Sequence, residues 1–204
     1  MNRKELYMSK RAFWKVCKKL ANEERIDVLR KVMCSPEEEG IPVGQIADAV
    51  RIGQPATSTY LAELKDVCGL VDCTRAGRYC LYRAVPDYSD EKVVKIFHVL
   101  RKSFREEMHG WVSANGAQPP APPYLCILPA LANEKRVRLV AFIRSERRTA
   151  QKEIANATGL SELNVYRHLI CLVACGLVDM DGERVTWREP VDPVSSTFIE
   201  LSLA

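Results

Sequence analysis

Leu20-Ala21-Asn22-Glu23-Glu24-Arg25-Ile26 returns later in the chain as Leu131-Ala132-Asn133-Glu134-Lys135-Arg136-Val137. Cys68-Gly69-Leu70-Val71-Asp72 returns, after a slightly shorter interval, as Cys175-Gly176-Leu177-Val178-Asp179. Two matches in one order, at nearly one offset, read as an internal duplication. The chain then holds two copies of a unit of about 70 residues.

Each copy follows one grammar. Asn22 and Asn133 are good helix N-caps. The helices they open carry Ile26, Leu29 and Val32, or Val137, Val140 and Ile143. A short helix follows, with Val43, Ile46, Ala47 and Val50 in the first copy and Ile154 and Ala155 in the second. A glycine-containing turn comes next, Arg51-Ile52-Gly53 or Thr158-Gly159-Leu160. A further helix carries Leu61 and Leu64, or Leu169 and Leu172. Two short helices joined by such a turn predict a helix-turn-helix. Residues 71–74 and 79–83 then flank Arg75-Ala76-Gly77-Arg78, and residues 178–180 and 184–188 flank Asp181-Gly182-Glu183. Asp-Gly between apolar runs is a hairpin signal. Three helices and a β-hairpin make a winged helix-turn-helix. The expected fold is mainly α with small β-hairpins: two tandem winged helices joined by a long helix and a Pro-rich linker.

The joining helix is read from residues 90–112. Val93, Phe97, Leu100, Phe104, Met108 and Trp111 fall on one face, and Asp90 and Glu91 suit its positive N-terminal end. Residues 115–123, with four prolines among the last five, form an extended spacer. The expected organisation is a first domain at 1–113, a linker at 114–123 and a second domain at 124–204. The stretch 189–204, with two prolines, reads as a short tail with no equivalent long helix.

The chain has 204 residues, 30 basic and 26 acidic, with 47% hydrophobic and 27% charged. That balance fits a globular protein and excludes disordered and fibrous classes. Residues 1–113 hold 20 basic and 16 acidic groups, and the remainder 10 and 10, so the whole excess of +4 lies in the first copy. No apolar run of about 18 residues predicts a membrane span. The basic N-terminus has no apolar core of a secretory signal. With eight cysteines, that points to reduced thiols in a cytoplasm.

The runs LANEERIDVLRKV (20–32), IADAVRIGQPATSTYLAEL (46–64) and GLVDCTRAGRYCLYR (69–83) resemble an ArsR-type winged-helix transcriptional regulator. LANEKRVRLVAFI (131–143) and IANATGLSELNVYRHLICLVACGLVD (154–179) resemble the same module. The resemblance covers about residues 10–112 and 124–188. It implies a homodimeric module that binds operator DNA and releases it when a metal or other signal binds. Two modules in one chain imply a covalent pseudo-dimer. The family's last helix pairs at the dimer interface, which implies homodimerisation through residues 90–112, and its inducers imply a small effector. Family members usually read Leu-Ser-Gln-Pro-x-Val-Ser-Arg-His-Leu at the recognition helix. The first copy keeps Gln54, Pro55 and Ser58 but has Thr59-Tyr60 for Arg-His. The second keeps Ser161 and Arg167-His168 but has Glu162 for Gln. The first also has one more residue between Leu61 and Gly69 than separates Leu169 from Gly176, so its helix is expected to end differently.

An α-helix fits the major groove, where Gln and Asn pair with adenine and Arg with guanine. The expected reading set is Gln54, Thr57, Ser58 and Thr59 in residues 55–68 and just before them, and Ser161, Asn164, Arg167 and His168 around residues 162–175. Arg75 and Arg78 on the first wing suit phosphate, whereas Asp181 and Glu183 on the second repel it. Arg3, Lys4, Lys10, Arg11, Lys15, Lys18 and Lys19 add to the first copy's field. The partner expected is double-stranded DNA.

Two alternatives stand beside this reading. Winged helices also serve as protein-interaction modules with weak or no DNA binding. A thiol or metal sensor would use Cys171 and Cys175, four apart on a helix, or Cys68, Cys73 and Cys80 around the first hairpin; each can equally be a small apolar filler. No Cys-x-x-Cys is present, and His98 and His109 share a face, but Ile96 stands two before His98 where an acid is wanted and Val112 where a further ligand would follow. No metal or cofactor is expected. No Gly-rich phosphate loop, Gly-x-Ser-x-Gly or His-Glu-x-x-His occurs, so an enzyme is not expected.

Overall fold

The computed structural model describes residues 12–37, 39–113 and 122–203, the side chains of 108–113 excepted. Met108, His109, Trp111, most of the Pro-rich linker, and Arg3, Lys4, Lys10 and Arg11 lie outside that description. The chain divides into two compact units, Met1–Ala121 and Pro122–Ala204.

The first unit runs α1 (Phe13–Leu20), α2 (Glu23–Met33), β1 (Ile41–Pro42), α3 (Val43–Val50), α4 (Gln54–Glu63), a π-helical turn (Leu64–Cys68), β2 (Asp72–Ala76), β3 (Tyr79–Arg83) and α5 (Glu91–Ser113). The second runs α6 (Tyr124–Leu131), α7 (Glu134–Glu146), β4 (Arg148–Ala150), α8 (Gln151–Thr158), α9 (Glu162–Ala174), β5 (Val178–Asp181), β6 (Arg184–Trp187) and α10 (Pro193–Leu203). The structure is mainly helical with small antiparallel sheets, an arrangement compatible with a winged helix-turn-helix.

Local chemistry sets these elements. Asn22 Oδ1 accepts from the Arg25 amide at 2.8 Å, and Asn133 Oδ1 from the Lys135 and Arg136 amides at 2.9 and 3.2 Å. These caps satisfy N–H groups that the first helical turn leaves without partners. Arg25 donates back to the Lys19 carbonyl at the end of α1. Arg136 donates to Ala130 and Pro129 carbonyls at the end of α6, at 2.9 and 2.6 Å. One arginine thus ties each helix pair at its corner.

Each sheet has three strands, in the orders β1-β3-β2 and β4-β6-β5. Ile41 pairs with Tyr82 and Arg75 with Cys80; Thr149 pairs with Val185 and Asp181 with Arg184. The edge strands β1 and β4 go beyond the hairpins read from sequence. Both hairpins close on two residues, Gly77-Arg78 and Gly182-Glu183, whose glycines sit at φ +62 and +59. Arg75, expected at the tip, lies in β2.

Three further expectations change. The left-handed residue of the first turn is Arg51, at φ 57, while Gly53 has φ −58. Residues 189–204 are not a plain tail. They contain α10, opened by Asp192 Oδ1 on the Ser195 amide at 2.8 Å and buried at Val194, Phe198 and Ile199. The extra residue after Leu61 is absorbed in the π turn, where the Leu70 amide reaches the Leu64 carbonyl, six residues back; Leu177 reaches Leu172, five back.

The first core gathers Leu20, Ile26, Leu29, Ile46, Leu61 and Leu64, all buried. Val93, Phe97, Leu100 and Phe104 of α5 are buried as well, with the Arg30 guanidinium of α2 5.2 Å from the centre of the Phe104 ring. The second core gathers Leu128, Leu131, Leu139, Ile143, Ile154, Leu169 and Leu172. No helix among the described residues is long and apolar enough to cross a membrane.

Candidate nucleic-acid interface

In the first unit, α3 and α4 meet at Arg51, whose left-handed backbone returns its amide to the Ala47 and Asp48 carbonyls. Gly53 precedes α4, and Pro55 sits in its first turn, where no N–H bond is lost. Gln54, Ser58 and Thr59 are exposed; the Thr59 hydroxyl donates to the Pro55 carbonyl at 3.1 Å.

Thr57 does not join them. It is 0% exposed, and its hydroxyl donates to the Gly53 carbonyl at 3.2 Å. Its position matches Val165, also 0% exposed. Both face the core one turn before Leu61 and Leu169, and that alignment is the sequence signal against an outward Thr57.

In the second unit, Gly159 takes the left-handed turn at φ 69, and Ser161 caps α9 by accepting from the Asn164 amide at 3.4 Å. The Ser161 hydroxyl is engaged in that cap, although the residue is exposed. Asn164 and Arg167 are exposed. His168 is half-buried, and its pKa is pushed down by burial, then by the Arg136 and Lys135 charges. It faces the start of α7 and not outward. Tyr60, its counterpart, does the same: its hydroxyl donates to Glu24 at 2.5 Å under the Arg25 guanidinium, 4.9 Å from the ring centre.

The wings differ in sign. Arg75 and Arg78 are exposed, and the Arg78 guanidinium lies 5.6 Å from the centre of the Tyr79 ring. Asp181 and Glu183 are exposed on the second hairpin. Of the described N-terminal lysines, Lys15 and Lys18 are exposed, while Lys19 pairs with Glu63, which also receives Arg25 at 2.5 Å.

The residues expected from sequence do not include an apolar row on α9. Leu163, Tyr166, Ile170 and Val173 are exposed at steps of three, four and three. The first unit has Pro55, Ser58 and Ala62 at the first three of these positions. The spacing is legible in the sequence, but it interleaves with the polar groups that mark a reading helix.

Three of the thiols, Cys17, Cys73 and Cys175, are pushed toward their neutral form. Burial, with Cys68 nearby, pushes Cys17 far up. Burial, with Cys171 alongside, pushes Cys175 up to about 12. Burial and a hydrogen bond with Cys80 raise Cys73. Reactive cysteines show the opposite shift. Among the described residues no group of three or more His, Cys, Asp or Glu is placed to hold a metal ion.

Residues 133–180 match the family model for the bacterial regulatory protein, arsR family. The match begins at the Asn133 cap and ends in β5, so this stretch carries an ArsR-type helix-turn-helix. No curated protein and no solved structure matches the chain.

Proposed function

We propose that the chain is a cytoplasmic DNA-binding transcription regulator built from two tandem winged helices, at 1–113 and 124–204, around the spacer 114–123. The observation that carries it is the arsR-family match over the second unit, set beside a first unit with the same order of helix, turn, helix and hairpin. The first unit is the reading head. Gln54, Ser58 and Thr59 form a polar outward face on α4, of a size and chemistry that suit base edges. Arg75 and Arg78 take phosphates.

A covalent pseudo-dimer would add Asn164 and Arg167 of α9 as a second head, without the Ser161 hydroxyl, which is engaged in the cap, or His168, which faces α7. Against it stand the apolar row on α9, Glu162, and the acidic wing. Base reading is therefore assigned to α4.

The test is fluorescence anisotropy of the full chain on a duplex from upstream of its own gene, with a scrambled duplex and a salt series. Sequence-dependent binding is expected, with a log–log salt slope of about −0.9 per phosphate neutralised. Arg75→Ala and Arg78→Ala each reduce that slope by about 1. Thr57→Val leaves affinity unchanged. Equal binding to both duplexes, or none, overturns the reading.

A further inference from the structure

The row on α9 has the spacing of a two-stranded helical seam. Leu163, Tyr166, Ile170 and Val173 are 59%, 46%, 49% and 39% exposed, and steps of three, four and three keep a narrow stripe facing one partner helix. An adjoining face of the helix, roughly a quarter to a third of a turn round, is fixed by Val165, Leu169 and Leu172, each 0% exposed. The seam is therefore presented on a helix already folded, and association orders little new chain.

The flanking charges name the occupant. Glu162 lies on one side of the stripe and Arg167, five residues on, lies on the other. Both are exposed, and neither has an ion-pair partner among the described residues. In a parallel pair of identical helices, the group just before the first seam residue meets the group five positions later on the other strand. A second copy thus sets Glu162 against Arg167 twice, once on each side of the two-fold axis. An antiparallel pair would set like flanks against each other.

We propose that the Leu163–Tyr166–Ile170–Val173 face of α9 pairs in parallel with the same face of a second copy of this chain, locked by reciprocal Glu162–Arg167 ion pairs. The second unit joins two chains, and each chain keeps its first unit for DNA.

Sedimentation equilibrium of the full chain without DNA, over a concentration series, is the test; its outcome is independent of whether α4 reads DNA. A monomer–dimer equilibrium is expected. Ile170→Glu weakens it by about 100-fold or more, because two charges enter the seam. Val191→Glu, at a fully exposed position outside the helix, leaves it unchanged. Glu162→Arg and Arg167→Glu each weaken the dimer by about tenfold, and the double swap returns it to within about threefold of the original. Thermal melts of each variant establish that the fold is kept. A chain that stays monomeric, a dimer that survives Ile170→Glu, or single charge reversals that the double swap does not rescue each overturn the proposal.

Discussion

Arg51 carries a left-handed backbone that its counterpart Gly159 adopts without a side chain. A non-glycine residue there loses roughly 1–2 kcal/mol, and glycine returns about 0.5–1 kcal/mol of that through unfolded-chain entropy. Arg51→Gly is expected to stabilise the first unit by about 0.5–1 kcal/mol, read as a rise in denaturation midpoint at constant slope. His168 offers a second residue-scale test. The fold favours the neutral imidazole, so the folded protein binds this proton less readily than the unfolded chain, whose value is 6.5. Its contribution is complete above that value and is lost as pH falls through the lower folded one. Wild-type melting temperature should drop between about pH 7.5 and 5.5, and His168→Tyr should flatten the drop. Glu153 and Asp72, both lowered by hydrogen bonds from backbone amides, titrate below 4.5 and outside this window. An unchanged slope in His168→Tyr would assign the acid sensitivity to other groups.

At the scale of elements, what can be read from sequence is what leaves a local chemical mark. The capping asparagines, the Asp-Gly hairpin and the paired leucines are such marks, and all have the expected structural role. Strands β1 and β4 run two and three residues, too short to show alternation. Helix α10 is hidden by its prolines, although Asp192-Pro193 is a cap followed by a first-turn proline. Thr57 reads as outward because it is polar; burial there is decided by helical phase, which Leu61 and the matching Val165 reveal. The π turn is the clearest case of a sequence mark with a single structural outcome. One surplus residue between Leu64 and Cys68 widens one turn and leaves both Leu61 and Gly69 in register with Leu169 and Gly176. Deleting exposed Asp66 should convert that turn to α-helix and cost no more than about 1 kcal/mol, whereas deleting Ala62, before the bulge, should rotate Leu64 out of the core and cost about 2–5 kcal/mol. Denaturation of the two deletion variants checks this, and equal losses would show that the surplus residue has another role.

At the scale of the whole molecule, the chain has two cores. Leu172→Ala should cost about 2–5 kcal/mol and raise amide exchange through α7–α9, while the amides of α2–α4 keep their protection. Exchange that rises everywhere would mean that the units unfold as one. The corner arginines, Arg25 and Arg136, mark a hazard of this design: α1–α2 and α6–α7 are alike enough to compete for each other's partners during synthesis. The remedy is their separation along the chain, more than half its length. At translation rates of about 5–20 residues per second, the earlier pair leaves the ribosome roughly 5–20 s ahead of its twin. Domains of this size close within about a second. The α1–α2 pair has thus met α3 and α4 of its own copy before its twin exists, and order of birth keeps the two from exchanging parts.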